Sequence, residues 1–208
     1  ISIARVRDLI AHSQRRHRRF GHQRATGRGR FGHPAGIASE GRRAIRSLTR
    51  QDVRVFLTDS AVGTQEENNL RHLVTNLGAD VGRDRIVPFL TSKHSLEYCL
   101  TYAEQAWQSG FPSLVVLGGD KTVGRPRCVE HAWELRRAIR EREPRLALGG
   151  WANPHGRASA QGDYLVDDCF TGEFYLTQVV SHLNLAPVEA FVSEARRRGV
   201  AAPGMMPV

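Results

Sequence analysis

The sequence predicts a parallel α/β fold, a (β/α)8 barrel of the TIM type of which about six strand–helix units are present. Three observations predict it. Short runs rich in Val, Leu and Phe alternate with longer stretches striped at helical spacing, at roughly 30 residues per unit. Each apolar run passes into Gly, Thr, Asp, Asn or His at its carboxyl end, where α/β folds keep their sites. The chain stops on an apolar run, Ala202 to Val208, where an open doubly wound sheet normally finishes with a covering helix. That open sheet is the competing architecture.

Taken in order, Val53 to Leu57 is a β-branched and aromatic run and the first strand. A polar stretch from Thr64 to Asn76 follows, with Leu70, Leu73, Val74 and Leu77 on one stripe, and reads as a helix. Ile86 to Leu90 is the second strand, and Ser95 to Gln108 a helix with Leu96, Leu100, Ala103 and Trp107 in register. Leu114 to Leu117 is the third strand and Val129 to Arg140 its helix. Leu146 to Leu148 is the fourth strand, followed by a weaker helical piece between Ser159 and Asp167. Phe174 to Thr177 is the fifth strand, Pro187 to Arg198 a helix opened by proline, and Ala202 to Val208 the last strand. These elements form a domain over residues 48–208.

Residues 1–47 differ in kind. The net charge of +9 belongs to this end: residues 1–50 hold 13 arginines, no lysine and two acids, a net of +11, while the remaining 17 basic and 19 acidic groups net −2. Basic runs such as Gln14 to Arg19 suit a phosphate-binding arm, but runs of this kind at termini are usually solvated and poorly ordered. Gly27-x-Gly29-x-x-Gly32 matches the dinucleotide fingerprint by letters only, since no strand leads in and no helix leaves. No apolar stretch approaches the roughly 20 residues of a membrane span, and no signal-peptide core is visible. Cys99, Cys128 and Cys169 are odd in number and widely spaced, which argues against a disulfide framework and fits a reducing cytoplasm. The chain begins with Ile1 rather than Met, so the natural start is expected to be missing.

The polar residues gather at the strand ends. Thr58, Asp59 and Ser60 follow the first strand; Thr91, Ser92, Lys93 and His94 the second; Gly118, Gly119, Asp120 and Lys121 the third. Gly149 to His155 follow the fourth, and Thr177 and Gln178 the fifth, with His182 four residues on. Each has a plain alternative. A glycine pair is turn chemistry, an Asp before a helix is an N-cap, Trp151 is core filling, and a single loop histidine is a surface residue. The three histidines show no ligand spacing, so no metal is expected. Convergence of five strands on one rim favours a site.

Those rim segments carry a resemblance. Pro88-Phe89-Leu90-Thr91, Leu117-Gly118-Gly119-Asp120, Gly149-Gly150-Trp151-Ala152-Asn153-Pro154-His155, Leu176-Thr177-Gln178 and Pro203 to Val208 resemble, in order and spacing, the strand-end motifs of methylenetetrahydrofolate reductases. The resemblance runs from about residue 53 to 208 and implies a (β/α)8 barrel. It also implies reduction of methylenetetrahydrofolate to methyltetrahydrofolate with NADH or NADPH, with FAD as the usual relay. It implies that Asp120 is catalytic, stabilising the cationic iminium form of the folate. Gln178, Thr91 and Asn153 would then bind substrate, and Gly119, Trp151 and His155 line the cofactor side.

The sequence departs from the family at places that matter. The Arg of its third-strand motif is Gly118 here, and its Lys eleven residues before the glutamine is Asp167. In the family these basic groups help hold the FAD diphosphate, so the chain resembles the flavin-independent branch, with hydride passing directly from nicotinamide to folate. The family's first-strand glutamate, its candidate general acid, has no match in residues 1–50. Two other readings stand beside this one. One is an inactive barrel fragment with a nucleic-acid-binding arm, which would release its ligand with salt. The other is a different barrel enzyme using His94, Lys93 and Asp120, with Lys93 as a Schiff-base former.

Overall fold

The computed structural model describes residues 43–50, 54–58, 69–78, 80–180 and 183–206. Residues 43–49 are helical, and Ile45 packs on the core. Then come β1 (Val55–Leu57), α1 (Asn69–Leu77), β2 (Ile86–Thr91), α2 (Leu96–Gln108), β3 (Ser113–Leu117) and α3 (Ala132–Arg142). They are followed by β4 (Ala147–Ala152), α4 (Ala158–Val166), β5 (Phe174–Thr177), α5 (Ala186–Arg197) and β6 (Gly204–Met205).

All neighbouring strands are parallel, and their order in the sheet is β1-β2-β3-β4-β5-β6. A doubly wound sheet needs a point where this order reverses. Among the described strands there is none, so right-handed crossovers put the helices between them on one face and the sheet curls into a half-barrel. The packing follows the same division. Val87, Phe89, Val115, Phe174 and Leu176 form an inner cluster, joined by Phe56, Leu117, Ala147, Trp151 and Met205, with strand residues only. The alternate residues Ile86, Leu90, Leu114, Val116 and Leu148 face outward to meet Leu77, Cys99, Tyr102, Ala106, Leu135 and Ile139 of the helices. β2 is buried at every position, which is why it reads as an unbroken apolar run.

The expected start of helix α1 at Thr64, like Asp59 and Ser60, falls among residues 59–68, outside the described residues. Two places differ from expectation for identifiable reasons. Helix α3 begins at Ala132 rather than Val129, because the His131 N–H donates to Glu134 Oε2 (2.8 Å) and closes the helix end there. Gly149 and Gly150 are not a turn: β4 runs through them to Ala152. A Cβ at Gly149 would sit 2.4 Å from the Phe174 ring, and one at Gly150 2.4 Å from the Phe170 ring. Glycine is needed there because aromatic rings occupy both faces of the strand.

Phe170 is held in that position by Arg136 of α3, which is fully buried. Its Nε and Nη2 donate to the Phe170 carbonyl (3.0 and 2.5 Å), Nη1 to Val116 O (3.3 Å) and Nη2 to Tyr164 Oη (3.1 Å). The guanidinium also lies 5.3 Å from the Phe170 ring centroid. A cation taken from water needs all its donors used, and these contacts join α3, β3 and the connection into β5.

Candidate functional site

The rim formed by the carboxyl ends of β2 to β5 is built from buried backbone clamps beneath exposed polar tips. Thr91 closes β2 and is buried; it pairs in register with Leu117 of β3. Trp151 pairs with Leu176 across β4 and β5 and packs on the inner cluster. Thr91, Leu117, Trp151 and Leu176 therefore form one inward layer. The residues two positions further on three neighbouring strand ends are Gly119, Asn153 and Gln178. With strands about 4.8 Å apart, these three span roughly 10 Å.

The loop 118–131, between β3 and α3, covers this end of the sheet. It is fastened mainly from β2. Ser92 N donates to Leu117 O (2.9 Å), its hydroxyl to Gly118 O (2.9 Å), and its carbonyl accepts from Cys128 N (2.7 Å). Lys93, 2% exposed, sends Nζ to the carbonyls of Val123 and Arg125, both at 2.7 Å. Burial and two carbonyl partners make Lys93 a clamp on the loop. His94, also buried, packs at a tilt against Tyr98 with ring centroids 4.6 Å apart.

Within the loop, Gly119 and Gly124 take positive φ (71° and 80°), which L side chains adopt only with strain. At Gly118 a Cβ would lie 2.8 Å from the Arg127 guanidinium carbon. Arg127 uses this gap to donate to Gly119 O and to Glu130 O (3.3 Å). Asp120 is exposed, and its Oδ1 accepts from Thr122 N (2.8 Å), Thr122 Oγ1 (3.0 Å) and Val123 N (3.0 Å). It caps a loop turn, not helix α3. The Thr122 amide first, then the Val123 amide and the Thr122 hydroxyl, hold its carboxyl below the usual carboxylate range, with a smaller contribution from Lys93. The group is thus a fixed anion at neutral pH and unsuited to donating a proton.

At β4 and β5 the arrangement is tighter. Asn153 N donates to Gln161 Oε1 (2.8 Å), and Asn153 Oδ1 accepts from His155 N (3.0 Å), making a compact turn. His155 Nε2 lies 3.3 Å from Val179 O and so links the two strand ends. Gln178 is exposed, and its backbone N–H donates to Ala152 O (3.1 Å), continuing the ladder past Thr177. His182 lies outside the described residues.

Asp167 stands on the connection into the amino end of β5, not at the rim. Its carboxylate accepts from Cys169 N (2.7 Å), and that hydrogen bond lowers its pKa. A hollow of about 460 Å³ beside α3 is lined by Arg137, Arg140, Leu165, Asp167, Phe170 and Glu173. Its cations are occupied: Arg140 pairs with Glu173, and Arg137 lies 4.9 Å from the Trp133 ring. Among the described residues no trio of His, Cys, Asp or Glu is arranged to hold a metal ion, and no helix is long and apolar enough to cross a membrane.

Sequence reading missed the clamps. Ser92, Arg127 and Arg136 have no local signature, because their partners are backbone carbonyls 8 to 34 residues away. No protein-family model matches the chain, and no curated protein matches it. Among solved structures, one described as a crystal structure of an MLE variant is similar over 80% of this chain, at 10% identity and a TM-score of 0.46. The chain spans 42% of that structure's length.

Proposed function

We propose that this chain is an oxidoreductase of the methylenetetrahydrofolate reductase type, reducing methylenetetrahydrofolate with NADH or NADPH and without flavin. What carries the reading is the convergence of the motif segments ending at Thr91, Asp120, His155 and Gln178 on the carboxyl ends of four adjacent parallel strands. That is the face on which barrel enzymes hold their sites. The chemistry suits the residues. The bond from the bridging methylene carbon to N10 breaks as N10 takes a proton from solvent, leaving the cationic iminium on N5. A hydride then leaves the nicotinamide with its electron pair and bonds to that carbon, giving a neutral methyl amine and an oxidised nicotinamide. Asp120 supplies the anion that favours the cationic acceptor. The Gln178 side-chain amide offers paired donor and acceptor groups to a pterin edge. Thr91 and Asn153 line the substrate side, and Gly119, Trp151 and His155 the nicotinamide side.

The test is oxidation of NADH or NADPH by the purified chain with methylenetetrahydrofolate, with and without added FAD. Turnover without FAD is expected. Asp120→Asn preserves the turn, since an amide oxygen also accepts from residues 122 and 123, but removes the charge. It should cut kcat about 100-fold with folate affinity retained. Gln178→Ala should mainly raise the folate KM. Absence of turnover from a folded sample under both conditions overturns the reading.

A further inference from the structure

Two of the three cysteines meet beside the rim. Cys99 lies on α2, fully buried, with Sγ 3.7 Å from the Thr91 carbonyl. Cys128 belongs to the loop 118–131, is partly exposed, and its N–H reaches the next carbonyl along, Ser92 O, at 2.7 Å. Anchored to the consecutive residues Thr91 and Ser92 at the end of β2, the two side chains share one apolar cluster. His94 stands close enough for its charge to favour a thiolate at Cys128. The third cysteine is differently placed: Cys169 sits against Asp167 on the connection into β5.

We propose that Cys128 and Cys99 form a peroxide-reactive thiol pair, with Cys128 the attacking and Cys99 the resolving sulfur. The Cys128 thiolate attacks one oxygen of a hydroperoxide. An S–O bond forms, the O–O bond breaks, and the departing oxygen leaves as water or an alcohol after taking a proton. The Cys99 sulfur then attacks the Cys128 sulfenic acid. The S–S bond forms, the S–O bond breaks, and hydroxide leaves as water with the Cys99 proton. The two thiols lose two electrons and the peroxide gains them. The product ties α2 to the loop that carries Asp120.

The division of roles follows from environment. The neighbouring Cys99 side chain outweighs burial and brings the Cys128 thiol down to about 7. The carboxylate of Asp167 pushes the Cys169 thiol up. A thiol at about 7 is half ionised at pH 7, against about one per cent for a thiol at the usual 9.0. The lower nucleophilicity of the more acidic thiolate takes back part of this gain, leaving Cys128 about six-fold or more faster than Cys169.

The experiment uses the full chain, reduced and dilute, at pH 7. Limited iodoacetamide followed by peptide mass analysis should label Cys128 about six-fold or more faster than Cys169. Hydrogen peroxide should then give a Cys99–Cys128 cross-linked peptide that reducing agent removes, with Cys169 still free. In Cys99→Ser the reaction should stop at a Cys128 sulfenic acid that dimedone traps. In Cys128→Ser no cross-link should form. Oxidation of Cys169 ahead of Cys128, or a cross-link that uses Cys169, overturns the proposal. So does recovery of Cys99 and Cys128 as free thiols after peroxide has been consumed. None of these readouts depends on folate chemistry.

Discussion

Replacing Gly149 by alanine tests the packing of β4 most directly. The backbone there is ordinary extended strand, so alanine meets no conformational barrier and gains about 0.5–1 kcal/mol over glycine. Against this, the new methyl would lie 2.4, 2.5 and 3.0 Å from three ring carbons of Phe174. That ring is buried among Val87, Phe89, Val115 and Leu176 and cannot swing aside alone. Overpacking of this kind costs about 1–3 kcal/mol, for a net loss of about 0–2.5 kcal/mol. In a chain of this size the melting temperature should fall by up to about 10 °C. Thermal unfolding of Gly149→Ala, Phe174→Leu and the double variant closes the cycle. The double variant should be more stable than the sum of the singles by about 1 kcal/mol, because the smaller side chain at 174 admits the methyl. A Gly149→Ala protein as stable as the parent, with no coupling to residue 174, would refute the contact and return the glycine pair to turn chemistry.

Three further outcomes are expected. Glu194 is held at about 2, first by its bonds from Arg197 and then by those from Arg198. A lowered carboxyl stabilises the fold above its unfolded pKa and loses that contribution as pH falls through the folded value. Wild-type melting temperature should thus decline between about pH 4.5 and 2 by more than that of Glu194→Gln, measured by circular dichroism. Lys93→Met leaves the Val123 and Arg125 carbonyls without their donor at a cost of about 1–3 kcal/mol. Amide hydrogen exchange within residues 118–131 should quicken about 5- to 150-fold while β3 itself stays protected. Arg136→Met removes the bonds that hold the Phe170 carbonyl, and should destabilise by about 2–4 kcal/mol in urea unfolding. Unchanged stability there would show that the buried guanidinium is dispensable.

The six strands and five helices were legible because their signals are local. β2 and β3 are short apolar runs since both faces are covered, and α2 shows its stripe because one side meets the sheet. The rim positions were legible for the same reason: Asp120, Asn153 and Gln178 follow directly on apolar runs. What escaped is non-local. The glycine pair of β4 answers to rings from β5 and from the connection before it, so it carries an ordinary turn signature. Arg136 stands in a helix crowded with charge, Arg136 to Arg142, and nothing in that string marks it as the buried member. Asp120 reads in the sequence as a helix cap; its turn partners, Thr122 and Val123, lie well before α3 begins. The cysteine pair was invisible as well, since Cys99 and Cys128 meet only when the loop 118–131 folds back over β2.

The fastening of that loop has a consequence for how such a scaffold can change. Barrel enzymes are usually regarded as modular, each strand carrying a loop that can be exchanged without disturbing the next. Here Ser92 and Lys93, at the end of β2, supply the hydrogen bonds that shape the segment following β3. The two units therefore constitute one inheritable piece. A graft that imports residues 118–131 into another barrel without residues 91–94 carries the cover but leaves its hinge pins behind.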